Sequence, residues 1–91
     1  MAMTTVWFKI GEGRMVEGLR TVQDEMDSSE GDVALDLSAV CRIDAIALRA
    51  LEEFAIRAED KRVKVTLRGV NVRIYKVLKL MRLTSRFSFV N

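Results

Sequence analysis

A chain of 91 residues has the volume for one hydrophobic core, so a single domain over residues 1–91 is expected. With 49% hydrophobic and 31% charged residues spread along its length it has a globular composition, which excludes disorder. No apolar run nears the roughly 20 residues that span a bilayer and no signal-peptide pattern opens the chain, so a cytoplasmic location without a transmembrane segment is expected.

From Thr5 to Ile10, Val6, Phe8 and Ile10 alternate with Thr5, Trp7 and Lys9, which is the period of a first strand. Gly11-Glu12-Gly13 breaks it. Met15, Leu19, Val22 and Met26 then recur at helical spacing, with Glu17, Arg20, Asp24 and Asp27 elsewhere on the wheel. The polar break Ser28-Ser29-Glu30-Gly31 precedes Val33, Ala34, Leu35 and Leu37, the nearly continuous apolar run of a central buried strand.

A second helix opens at Asp44, whose carboxylate suits an N-cap, and runs to about Asp60. Its wheel places Ala47, Leu51, Phe54, Ala55 and Ala58 inward, opposite Arg49, Glu53, Arg57 and Asp60. Ile46 and Ile56 fall on or near the polar face, which marks them as candidate partner contacts. Val63, Val65 and Leu67 alternate with Lys64, Thr66 and Arg68, a third strand with one solvated face. Gly69 ends it and Asn71 caps a third helix with Ile74, Val77, Leu78 and Met81 inward, expected to reach Ser85 before a strand over Phe87–Val90. Strand–helix alternation of this length implies right-handed crossovers. The expected fold is α/β: a four-stranded, mostly parallel sheet with helices mainly on one face.

The chemistry available is sparse. There is no His, and Cys41 is the sole cysteine, so neither an internal disulfide nor a Cys/His zinc site can form; Cys41 is expected to be a buried structural residue. Gly11-Glu12-Gly13 lies where a phosphate loop would lie, but Val16 replaces the third glycine and Glu12 would repel phosphate. Asp36 and Asp44 are read as strand-end and capping residues in preference to a catalytic pair. No cofactor, metal site or enzymatic activity is expected.

Charge is distributed unevenly around a net +2: residues 1–60 hold 13 acidic and 6 basic groups, residues 61–91 hold 9 basic and none acidic. The third helix bears most of this excess as a basic stripe of Arg73, Lys76, Lys79, Arg82 and Arg86, open to an acidic surface. Nucleic acid is the weaker reading of the stripe, because Tyr75 is its only aromatic neighbour.

Two segments together resemble the STAS domains, the family of the anti-sigma factor antagonists. Leu35–Leu51 (LDLSAVCRIDAIALRAL) is similar to the family's strand, Asp-Leu-Ser, loop, and Ile-Asp-Ser-Ser/Thr-Gly-Leu helix start; here that start is Ile43, Asp44, Ala45, Ile46, Ala47 and Leu48. Gly69, Val70 and Asn71, followed by Val77, Leu78, Leu80 and Leu83, resemble the family's turn and third helix. Ala47 stands where the family usually has Gly, and Arg82 where a Gly often interrupts the third helix.

The resemblance implies a bacterial, non-enzymatic regulatory module that binds protein. In antagonists of the anti-sigma pathway a partner kinase phosphorylates the serine directly after the Asp. Ala45 occupies that position and has no hydroxyl, so the expected behaviour is constitutive binding or a different regulatory input. The expected docking residues are Asp44, Ala45, Ile46, Arg49, Glu53 and Ile56, and the partner an anti-sigma or kinase-like regulator. An alternative within the binding class is an accessory subunit of a bacterial phospholipid-transport ABC complex, with its ATPase as partner. Longer STAS domains carry a further C-terminal helix; the surface it covers is a candidate homodimer contact.

Overall fold

The alternation of period-2 and period-3.6 segments folds as the sequence reading expects. The computed structural model describes residues 5–28 and 31–90. Four strands, β1 (Thr5–Lys9), β2 (Asp32–Asp36), β3 (Val65–Arg68) and β4 (Ser88–Val90), alternate with three helices, α1 (Met15–Ser28), α2 (Ala45–Asp60) and α3 (Val72–Leu80). A single 3-10 turn, Thr84–Arg86, precedes β4. The polar break before β2 falls partly on Ser29 and Glu30, outside the described residues.

All strand pairs are parallel and the spatial order is β1-β2-β3-β4. Because each strand is added on the same side of the last, right-handed crossovers place all three helices over one face of the sheet. Register then sorts the residues. Val6, Val33 and Val65 form one row, and Phe8, Leu35, Leu67 and Phe89 the next; both rows face the helices. Trp7, Ala34, Thr66 and Ser88 form the alternate row on the opposite face, where the Arg68 guanidinium lies 5.6 Å from the centre of the Trp7 ring.

The helical core residues are those the wheels select for α1 and α2: Met15, Leu19, Val22 and Met26 on α1, and Ala47, Leu51, Phe54, Ala55 and Ala58 on α2, are buried. Val6 belongs to the inner row but sits on an edge strand and keeps over a third of its surface.

The third helix departs from its expected form. It stops at Leu80, five residues before Ser85, and only Ile74 and Leu78 are fully buried. Arg82 adopts a left-handed conformation, φ 58°. The Leu83 N–H then donates to the Leu78 carbonyl at 2.8 Å and the Arg82 N–H to Lys79 at 3.1 Å, a Schellman ending. This turn carries Leu83 into the core, so Met81, expected inside, is left about half exposed. Arg86 leaves the basic stripe as well: it lies in the 3-10 turn and pairs with Glu59 of α2 at 2.6 Å.

Candidate functional site

In an all-parallel sheet the loops at the carboxyl ends of the strands converge, and that is where this chain gathers its polar loop residues. Asp36 closes β2. Its carboxylate accepts from the Ser38 N–H at 3.0 Å, and the Ser38 hydroxyl, followed by that N–H, holds the Asp36 carboxyl below its ordinary pKa. The Ser38 turn comes so close to β3 that a Cβ on Gly69 would lie 2.8 Å from the Ser38 Cβ; Gly69 also has φ +73°, so both space and backbone require glycine.

Two side chains from neighbouring loops clamp the β2–α2 loop. The Cys41 N–H donates to the Glu12 carboxylate, and that bond is the main cause of a lowered Glu12 pKa. From the other side Asn71 Nδ2 donates to the Cys41 carbonyl at 2.9 Å, while Asn71 Oδ1 accepts from the Ile74 N–H at 2.8 Å as the α3 N-cap. Glu12 is therefore a structural latch in the position of the fancied phosphate loop. Cys41 was expected in the core but is exposed, and Val40 fills the core beside it.

The clamped loop delivers α2 at a fixed place. Asp44 is its N-cap, with the carboxylate accepting from the Ala47 N–H at 2.8 Å. Ala45 follows on the surface, and Ile46 is 72% exposed. Ile46 forms a ridge between two open grooves. One, of about 440 Å³, is lined by Val16, Val40, Ile43 and Ala47 with Glu12 and Arg42 among its polar residues; the other, of about 340 Å³, by Ala45, Leu48, Arg49, Glu52, Met81 and Leu83.

Ile46, Arg49, Glu53 and Ile56 recur at spacings of three and four, so they make one outward stripe along α2. Ile56 is 45% exposed. The structure thus brings Asp44, Ala45, Ile46 and Arg49 together at the start of α2, while Glu53 and Ile56 lie one and two turns further along. Arg73, Lys76 and Lys79 are exposed on α3, and Arg82 in the turn beyond it, between the groove residues Met81 and Leu83.

The groove residues Val16, Leu48 and Met81 and the clamps Glu12 and Asn71 were not singled out for the site by sequence. The clamps carry one legible signal, the strand-ending glycines Gly11 and Gly69 close before them; the groove residues carry none. Among the described residues no group of three His, Cys, Asp or Glu side chains could hold a metal ion, and no helix is long and apolar enough to cross a membrane.

Comparison with known proteins accords with the fold. A family model described as STAS domain matches residues 7–91. Among solved structures, a crystal structure of a sulfate transporter family protein from Wolinella succinogenes is similar, with a TM-score of 0.76 and 23% identity over 98% of this chain and 80% of that one; at this identity the likeness bears on the fold. No curated protein matches the sequence.

Proposed function

This chain belongs to the STAS domain family, one of regulatory protein-interaction modules, and from that membership we propose that it docks a protein partner through the start and outer stripe of α2. The observation that carries the reading is Ile46: a large aliphatic residue, 72% exposed, between two grooves on a clamped helix start. Such a side chain contributes nothing to the core and fits a partner's pocket. In this reading Asp44 fixes the helix start, Ile46 and Ile56 supply apolar contact, and Arg49, Glu53 and the neighbouring Arg57 set partner choice through charge at the rim.

The finer role is that of an anti-sigma antagonist-like regulator without the phosphorylation switch. A phosphoryl group on the residue after the Asp would add nearly two negative charges at the helix start. Ala45 accepts none, so this module binds constitutively and performs no chemistry of its own.

The test is capture from native lysate of the source cells by immobilised wild-type protein and by Ile46→Asp, read by mass spectrometry. The variant should keep its unfolding midpoint, because the residue is exposed, and lose the partner. A kinase-like or sigma-regulatory protein captured only by the wild type supports the antagonist role. An Ile46-dependent ATPase or permease would assign the chain to a transport complex, as an accessory subunit. A capture profile identical for the two folded proteins removes the α2 ridge as the docking face.

A further inference from the structure

The flank of the sheet furthest from α1 carries a second surface that the α2 ridge does not use. Since α3 buries only Ile74 and Leu78 fully, much of its circumference is exposed. Val72, 70% exposed, and Leu80, 82% exposed, are two helical steps of four apart with Lys76 between them, so they fall along one line. Arg73 and Lys79 flank that line, and Arg82 stands just beyond it. Among the described residues none of these four cations is in an ion pair, and no acidic residue occurs between positions 61 and 91.

We propose that this face of α3 seats the protein on an anionic phospholipid surface, with Val72 and Leu80 entering the boundary between headgroups and acyl chains and the flanking cations meeting the phosphates. Aliphatic residues set among Lys and Arg on a convex helix are the pattern of interfacial attachment, and the long Lys76 stem lets its ammonium reach headgroups while the carbons stay in the apolar layer. Phosphates of a nucleic acid would match the same charges. They have no use for Val72 and Leu80, however, and the helix offers a single aromatic ring, Tyr75, already in an edge contact with Phe89 at 5.2 Å, in place of a row of stacking platforms. Specific protein interfaces favour aromatic anchors and are poor in Lys, whereas this face sets two Lys beside Arg73 and Arg82 and offers bare aliphatics in place of free aromatics.

The four acidic side chains of α1 lie on the far flank, and those of α2 (Glu52, Glu53, Glu59 and Asp60) lie on the helix between. The strand order sets α1 over β1 and β2 and α3 over β3 and β4, which keeps Glu17, Asp24, Glu25 and Asp27 of α1 away from the lipid. The molecule is thereby oriented by its own charge asymmetry as it approaches a negative surface.

Cosedimentation with vesicles of phosphatidylglycerol and phosphatidylcholine tests the inference, with pure phosphatidylcholine vesicles as control. Wild-type protein should partition onto the anionic vesicles at low salt, ignore the neutral ones, and be released at about 0.5 M salt. Lys76→Gln combined with Lys79→Gln should weaken partitioning about 25-fold, since each cation near such a surface contributes about fivefold. Leu80→Ser should weaken it about tenfold with an unchanged circular dichroism spectrum. Ile46→Asp should partition like wild type, which separates this surface from the α2 ridge. Absence of binding to anionic vesicles overturns the proposal. So does binding that Leu80→Ser leaves unchanged, or tighter Leu80-independent binding to duplex DNA, either of which would reduce the patch to a general polyanion site.

Discussion

Glu12 shows how much a single residue's role depends on what the fold sets beside it. In the sequence it is an acidic residue between two glycines; in the fold its carboxylate holds the Cys41 N–H across 29 positions of chain. Because that bond favours the charged form, its folded pKa lies below the ordinary 4.5. A group with a depressed folded pKa stabilises the fold above its unfolded value and loses that contribution as pH falls through the folded one. Thermal unfolding midpoints should therefore drop as pH falls below about 4.5, and Glu12→Gln should flatten that acid limb while lowering the midpoint at neutral pH. An acid limb identical in the two proteins would show that the latch is not formed in solution. Gly69 and Asn71 repeat the lesson: the turn chemistry of each was legible, but not the Ser38 and Cys41 backbone each one meets.

The ends of helices decide more here than their middles. The apolar faces of α1 and α2 followed directly from periodicity, because a face that packs on a sheet must repeat at helical spacing. The end of α3 did not follow, because Met81 and Leu83 are both apolar and period alone cannot choose which of them turns inward. The choice falls to the left-handed Arg82. α2 ends in the same way at Arg62, φ 58°, with the Val63 N–H donating to the Ala58 carbonyl at 2.8 Å. A left-handed conformation costs an L-residue about 1–2 kcal/mol, and glycine escapes the penalty at some entropic cost of its own. Arg62→Gly should accordingly raise stability by about 0.5–1 kcal/mol in urea unfolding. A lower midpoint would mean that the Arg62 side chain makes a compensating contact in solution.

At the scale of the whole molecule, a sheet in sequential order with helices on one side has two unlike faces. Leu35, fully buried on the helix-facing row, and Trp7, half exposed on the alternate row, sit on neighbouring strands one register step apart. Leu35→Ala should cost about 2–5 kcal/mol through lost transfer energy and a cavity. Trp7→Ala should cost only about 1–2 kcal/mol, since its ring is partly solvated and its chief partner is Arg68. Equal losses in chemical denaturation would indicate that the outer face is covered in solution.

By itself the sequence determined the element order, the parallel class of the sheet, the inward faces of α1 and α2, the caps at Asp44 and Asn71 and the exposure of Ile46 and Ile56. These are properties of local period and of short-range hydrogen bonding, which neighbouring residues carry. Only the tertiary structure decided that Cys41 faces solvent, that α3 stops at Leu80, that Arg86 pairs with Glu59, and that Ile46 stands between two grooves completed by Val16 and Met81. Each of these depends on which distant segments the crossovers bring into contact, and such contacts leave no periodic trace in the chain.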